Sequence, residues 1–167
     1  MHILNYYFTP FAVILILFAI FFSEPERGIT YASFALLAAA FAANYWLGRN
    51  VYRFMRWSRH IRAVTVWLNL AVSAALFYLL VANWAPMWLL FLTAPAASAM
   101  YMKKWQVFLT ALAASGSMIV LYYLLTHGEM GPQLWGMVLT QAVFIIFFSM
   151  FTTAMAEMIV KVRDSMR

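Results

Sequence analysis

The chain contains no cysteine among its 167 residues. Without a thiol there is no disulfide, no thiolate metal site and no cysteine nucleophile, although this absence does not identify a compartment. Charge is also scarce, because Asp, Glu, Lys and Arg make up 10% of the residues, against about 25% in soluble domains. Chemistry that depends on thiols or on clustered carboxylates therefore has little support in this sequence.

Apolar residues, in contrast, are abundant. Hydrophobic side chains account for 66% of the chain, against about 45–50% in soluble domains. They form long runs separated by short polar breaks, and a backbone in lipid must satisfy its own hydrogen bonds. Continuous apolar runs without polar alternation favour helices over barrel strands. The sequence predicts an all-α integral membrane protein consisting of a single helical membrane domain.

Six apolar runs predict six transmembrane helices. They cover approximately residues 5–22, 30–47, 63–81, 87–102, 105–125 and 134–156. The breaks SEPERG (23–28), NWAP (83–86) and HGEMGPQ (127–133) contain the glycine and proline residues typical of turns. The first run lacks the basic flank and small-residue cleavage site of a signal peptide, so we expect it to remain as a helix. The last helical pattern continues into a tail at 157–167.

The distribution of Lys and Arg predicts the orientation. The segments after the second and fourth runs carry five and two such residues, and the C-terminal tail carries three. The segments after the first, third and fifth runs carry only Arg27. By the positive-inside rule, both termini and the helical tail are expected to be cytoplasmic.

The stretch RNVYRFMRWSRHIR (49–62) is the most basic part of the chain. Its arginines are Arg49, Arg53, Arg56, Arg59 and Arg62. At helical spacing, basic and apolar side chains fall largely on opposite sides, which predicts an amphipathic helix at the lipid headgroups, with anionic lipid phosphates as partners. Interleaved arginine and aromatic residues can also bind nucleic acid. Because this stretch lies between two predicted spans, we expect no nucleic-acid partner.

Catalytic and metal-binding patterns are lacking. His2, His60 and His127 form no pair at membrane depth that could ligate haem, and the acidic residues lie near the ends of the apolar runs. There is no Ser-His-Asp array, metal-ligand spacing or phosphate-binding glycine loop. We therefore expect a non-enzymatic protein without a resident metal, although an intramembrane enzyme with scattered residues stays an alternative.

Polar side chains within the predicted spans allow two interpretations. They are Asn44, Asn69, Ser73, Thr140, Gln141 and Ser149. Such residues commonly form hydrogen bonds between membrane helices, and we favour this packing role. The alternative is a small-molecule pocket for a quinone or lipid.

The last helix is predicted to be longer than a membrane span, which needs about 20 residues. In FTTAMAEMIVKVRDSMR (151–167), Met155, Ile159, Val162 and Met166 follow the spacing of a coiled-coil seam. Glu157 and Lys161 have the favourable i,i+4 order of a helical ion pair. These residues predict a stalk that pairs with a second copy of the chain. The alternative is a helix end whose basic residues interact with its dipole.

One long segment carries a family resemblance. RAVTVWLNLAVSAALFYLLVANWAPMWLLFLTAPAASAMYMKKWQVFLTALAASGSMIVLYYLLTHG (62–128), with its basic preceding segment and long final helix, resembles the six-span membrane sensor region of bacterial histidine kinases. Ala85-Pro86-Met87-Trp88-Leu89-Leu90, Pro95 and Lys103-Lys104 occupy the places of that family's outer turn, proline-containing helix and inner turn. The resemblance covers nearly the whole chain and rests on hydrophobic pattern more than on invariant residues.

The resemblance implies a sensory domain of a two-component system, in the bacterial inner membrane. Such a domain relays a membrane or lipophilic-ligand signal through its last helix to a cytoplasmic signalling protein, with a quinone or lipid as the implied ligand. The candidate ligand-binding residues are Asn83, Trp84, Pro86, Trp88 and Pro95. The alternative for them is a proline-terminated helical hairpin with interfacial tryptophans and no ligand. The kinase family continues into phosphoacceptor and ATP-binding domains, which these 167 residues lack, so we expect no phosphorylation by this chain alone.

Two other classes of function fit the composition. A small accessory subunit of a respiratory, photosynthetic or transport complex would also consist of apolar helices that pack against partner subunits. A transporter assembled from several copies is less favoured, because the sequence shows no paired broken helices.

Overall fold

The computed structural model describes residues 2–51, 58–82, 84–99 and 102–165, and every element within these ranges is helical. The helices are α1 (His2–Ser23), α2 (Arg27–Val51), α3 (Ser58–Leu80), a short 3-10 helix (Ala85–Leu89), α4 (Leu90–Ala99), α5 (Lys104–Leu125) and α6 (Pro132–Ser165). The predicted all-helical class is thereby confirmed for the described part of the chain.

Four helices in the described part of the chain are long and apolar enough to cross a membrane. Their apolar segments are Arg27–Leu47, His60–Leu80, Lys104–Leu125 and Pro132–Ile159, with lengths from 21 to 28 residues. The apolar segments Pro10–Phe22 and Ala85–Ala99 are shorter. Length and composition thus make the chain a multi-pass membrane protein.

The fourth predicted run differs in detail from the uninterrupted helix expected at 87–102. A 3-10 helix occupies Ala85–Leu89, and α4 follows it directly from Leu90 to Ala99. Pro86 lies in the first turn of the 3-10 helix, where its missing N–H would have no intrahelical partner in any case. Pro95 lies inside α4, where it removes one backbone donor.

The chain divides into two compact units, Met1–Thr93 and Ala94–Arg167. In the first unit, α2 packs against α3, and the 3-10 helix contacts both α1 and α3. Its fully buried side chains include Val66, Phe77 and Leu80 on α3. Phe77 meets Phe91 edge to face, with ring centroids 5.3 Å apart. This aromatic contact joins the last turn of α3 to the first turn of α4.

In the second unit, α5 and α6 pack against each other as a helical hairpin. The buried residues of the two helices recur at intervals of three and four and include many small side chains. They are Val107, Thr110, Ala111, Ala114, Ser115, Met118 and Tyr122 on α5, and Val138, Ala142, Ile145, Ser149 and Thr153 on α6. Small side chains let membrane helices approach closely. Accordingly, the Ser115 hydroxyl donates to the Ala142 carbonyl across the interface, at 3.0 Å.

The turn between α5 and α6 requires a left-handed backbone. His127 and Gly128 have φ angles of 51° and 84°, and the Gly128 N–H donates to the Tyr123 carbonyl at 2.9 Å. A Cβ atom added at Gly128 would lie 3.2 Å from the Tyr123 hydroxyl oxygen. Glycine therefore suits this position for its backbone angle and for the space available.

Candidate functional site

Trp84 is the best-defined candidate ligand-binding residue. It follows α3 in an extended conformation, and its backbone N–H donates to the Leu80 carbonyl at 2.9 Å. Its indole ring stacks on Phe22 at the end of α1, with ring centroids 5.6 Å apart and an interplanar angle of 15°. The indole Nε1 is buried and has no hydrogen-bond partner among the described residues. A buried donor without an acceptor costs about 1–3 kcal/mol, so a ligand carbonyl at this atom would be favourable.

The other predicted ligand-binding residues have different environments. Pro86 and Trp88 lie in the 3-10 helix beside Trp84, and both are half-buried. Pro95 is fully buried in α4 and belongs to the second unit. Asn83 lies outside the described residues. The described candidates of the first unit are thus Trp84, Pro86 and Trp88, within one short segment.

The packing role predicted for the polar side chains is confirmed at several positions. The Asn44 amide donates to the Asn69 side-chain oxygen between α2 and α3, at 2.7 Å. Ser73 donates from α3 to the Leu90 carbonyl of α4, at 3.1 Å. The side chains of Tyr122 and Gln141 are hydrogen-bonded between α5 and α6.

The same prediction is wrong for Thr140 and Ser149. Their hydroxyls donate to the carbonyls of Gly136 and Ile145, four residues earlier in the same helix. A short hydroxyl side chain can reach the carbonyl of the preceding turn, and this bond satisfies it without a neighbouring helix.

Glu157 forms an ion pair that the sequence analysis did not identify. Its Oε2 lies 2.7 Å from the Nζ of Lys104, the first residue of α5. The predicted partner was Lys161, so this prediction is corrected. The helical hairpin brings Lys104 beside Glu157 although the two are far apart in sequence, whereas the i,i+4 rule considers only neighbours on one helix.

The predicted stalk residues on α6 present apolar surface. Met155, Ile159 and Val162 are 43%, 66% and 50% exposed, while Met166 lies outside the described residues. Since α5 begins at Lys104, the part of α6 beyond Glu157 has no neighbouring turn of α5. Ile159 and Val162 thus place exposed apolar side chains beyond the start of α5.

The predicted lipid-binding arginines are only partly described. Arg49 is exposed in the last turn of α2. Arg62 is half-buried in the first turns of α3 and takes part in an interaction. Arg53, Arg56 and the side chain of Arg59 lie outside the described residues. The described part of the predicted amphipathic helix thus belongs to the end of α2 and the start of α3.

Three contacts that the sequence did not predict have one feature in common. Lys104 with Glu157, Ser115 with Ala142, and Tyr122 with Gln141 all join α5 to α6. In an antiparallel hairpin, residues at similar distances from the turn lie side by side. Comparing polar residues across the turn at 127–131 would have suggested the first and third pairings, whereas Ser115 donates to a backbone carbonyl that no polar residue marks.

The candidate site offers groups that could contact a ligand. Among the described residues, no three His, Cys, Asp or Glu side chains form a group suited to a metal ion. The Trp84 indole offers a hydrogen-bond donor beside a stacked aromatic ring. Comparison with family models, curated proteins and solved structures finds no match to this chain.

Proposed function

We propose that the chain is a non-catalytic sensory domain of the bacterial inner membrane that relays a signal along α6 to the cytoplasm. The observation that carries the proposal is the length of α6. Its 34 residues correspond to about 51 Å at 1.5 Å per residue, whereas a bilayer's hydrocarbon core is about 30 Å thick. A helix of this length joins membrane-embedded residues to a segment in water.

The proposed topology has six spans with both termini in the cytoplasm. The Lys and Arg distribution supports this orientation. It places the Lys104–Glu157 pair at the cytoplasmic surface and Trp84 on the opposite side. A ligand bound near Trp84 and the stalk at the end of α6 would then lie on opposite sides of the membrane, as a relay requires.

The proposed partner of the stalk is a second copy of the chain. Ile159 and Val162 are exposed apolar side chains beyond the first turn of α5, and their coiled-coil spacing supports self-association. The resemblance to histidine-kinase sensor regions suggests a cytoplasmic signalling protein as the next component. Membrane lipids would surround the remaining helices.

The proposed ligand is a lipophilic molecule with a hydrogen-bond acceptor, such as a quinone or a lipid. The buried Nε1 of Trp84 would donate to its carbonyl, and the Phe22 ring stacked on Trp84 provides aromatic contact area. Pro86 and Trp88 belong to the adjacent 3-10 helix. These residues would bind the ligand without changing it chemically.

Native mass spectrometry tests this function on protein extracted from its own membranes in mild detergent. We expect a homodimer carrying a releasable lipophilic molecule. Trp84→Phe keeps an aromatic ring but removes the N–H, so ligand occupancy should fall about tenfold for the loss of one hydrogen bond. Trp135→Phe, an interfacial tryptophan of α6, is the control and should leave occupancy unchanged. A monomer without ligand would contradict the proposal.

A second candidate is an accessory subunit of a larger membrane complex. This candidate is favoured by the exposure of α2. In the most apolar 18-residue window of its segment Arg27–Leu47, only 6% of the residues are buried, and the exposed side chains include Tyr31, Phe41 and Trp46. Such a surface contacts either lipid or a partner subunit. Extraction of the chain in fixed stoichiometry with unrelated membrane proteins would support this candidate over the sensor.

A further inference from the structure

Glu157 has two lysines within the reach of its carboxylate. Lys104 of α5 is its observed partner, with Nζ and Oε2 2.7 Å apart. Lys161 lies one turn further along α6, at the i,i+4 spacing and in the order that favours a helical ion pair. The first pair joins two helices, whereas the second would lie within α6 alone. One carboxylate therefore has two alternative partners with different structural consequences.

The two pairings should be close in free energy. The side chains of Lys104 and Glu157 are 61% and 52% exposed, and exposed ion pairs shift an equilibrium by roughly fivefold or less. A helical i,i+4 pair has an effect of similar size. Since neither pairing strongly outweighs the other, a small change in the membrane-embedded part of the hairpin can alter their populations.

The consequences of an exchange would be confined to one end of the hairpin. Nearer the turn, α5 and α6 stay joined by the bond from Ser115 to Ala142 and by the Tyr122–Gln141 pair. Lys104 is the first residue of α5 and provides the last of these polar links before α6 extends past the start of α5. Releasing Glu157 from Lys104 would therefore free the stalk while the membrane-embedded hairpin stays intact.

We propose that Glu157 exchanges between Lys104 and Lys161, and that this exchange controls whether the end of α6 is held against α5. With Glu157 on Lys104, the stalk is tied to the start of α5. With Glu157 on Lys161, the stalk is free to move toward a second copy. This inference rests on the proposed relay along α6 and names the contact that regulates it.

Spin labels on the intact chain can measure the exchange, since the absence of cysteine makes labelling at two engineered sites straightforward. Trp105→Cys and Met158→Cys place labels at exposed positions next to the ion pair, where the native side chains are 66% and 61% exposed. Pulsed electron paramagnetic resonance in nanodiscs, with labelled chains diluted by unlabelled ones, reports the distance within one chain. We expect two label-to-label distances, a shorter and a longer one, whose populations differ by about fivefold or less.

The two lysines should have opposite effects on this distance. Lys104→Gln removes the link to α5 and should shift the distribution to the longer distance. Lys161→Gln removes the competitor and should shift it to the shorter one. A control pair of labels at Leu112→Cys and Phe147→Cys, nearer the turn, should report the same distance in every variant. Shifts in the same direction, or no shift for Lys161→Gln, would overturn the exchange.

A charge swap provides an independent check. Lys104→Glu combined with Glu157→Lys keeps an ion pair between α5 and α6, but it places two lysines four residues apart on α6, which repel each other. We expect one population at the shorter distance. A distribution as long as that of Lys104→Gln alone would contradict the proposal. Failure of these distance tests would not contradict the proposed relay along α6, because self-association and ligand occupancy test the relay separately.

Discussion

At the scale of single residues, Gly128 has the most specific structural requirement in the turn between α5 and α6. Its φ of 84° is a conformation that other residues adopt only with strain. Gly128→Ala would also bring a Cβ atom to 3.2 Å from the Tyr123 hydroxyl oxygen. We expect a loss of about 1–2 kcal/mol in the free energy of unfolding, because an L-residue pays this cost for a left-handed backbone.

Unfolding in mild detergent, followed by circular dichroism as a denaturing detergent is added, measures this loss. Gly131→Ala is the matched control, because it lies in the same turn, has no positive φ, and has no atom within 4 Å of an added Cβ. The Gly131 variant should unfold like the parent chain. Equal destabilisation by both substitutions would show that the backbone angle at Gly128 is not the cause.

Residue identities could be read from the sequence more readily than their partners. The apolar seam of the stalk follows from the spacing of Met155, Ile159 and Val162, and their exposure agrees with a surface available for contact. The partner of Glu157 could not be read in the same way, because the pairing with Lys104 depends on how α5 and α6 fold back on each other. Likewise, no local pattern shows that the indole of Trp84 stacks on Phe22.

At the scale of elements, the helices were predictable because lipid requires each apolar run to satisfy its own backbone hydrogen bonds. The predicted ranges 105–125 and 134–156 coincide closely with α5 and the membrane-length part of α6. The division of the chain at Thr93 and Ala94 was not predictable, since it falls inside α4 rather than at a glycine or proline break. Packing between helices determines this boundary, and hydrophobic pattern does not report it.

The proposed stalk at the end of α6 leads to a prediction for dimerisation of the chain. Ile159→Asp together with Val162→Asp places charges on the apolar seam, where pairing with a second copy would bury them. A buried charge without a partner costs about 3–5 kcal/mol, so dimerisation should weaken by roughly 100-fold or more. Analytical ultracentrifugation in density-matched detergent measures the association.

Val160→Asp is the control for this prediction, because it also introduces an acidic residue in the stalk but lies off the spacing of Met155, Ile159 and Val162. It should leave the association within about fivefold of that of the parent chain. Unchanged association of the double aspartate variant would show that the two copies do not meet along this seam.

At the scale of the whole molecule, the main prediction is topology. Among the described residues, four helices are long and apolar enough to cross a membrane, whereas the proposed six spans also include the shorter apolar segments of α1 and of the 3-10 helix with α4. The two arrangements differ most clearly at Glu24, which follows α1, and at Ala82, which follows α3. Six spans with cytoplasmic termini place both residues, and also Glu129, on the outer surface, while Arg49 and Lys103 face the cytoplasm.

Single cysteine substitutions in this cysteine-free chain test the arrangement directly. Cysteines at Glu24, Ala82 and Glu129 should react with a membrane-impermeant maleimide in intact cells, whereas those at Arg49 and Lys103 should react only after permeabilisation. A fully reversed pattern would mean that the basic residues do not set the orientation as the positive-inside rule states. If Ala82 and Lys103 react from the same side, the segment with Pro86 and Pro95 does not cross the membrane. Trp84 and the stalk would then lie on the same side, and a relay across the bilayer would lose its geometric basis.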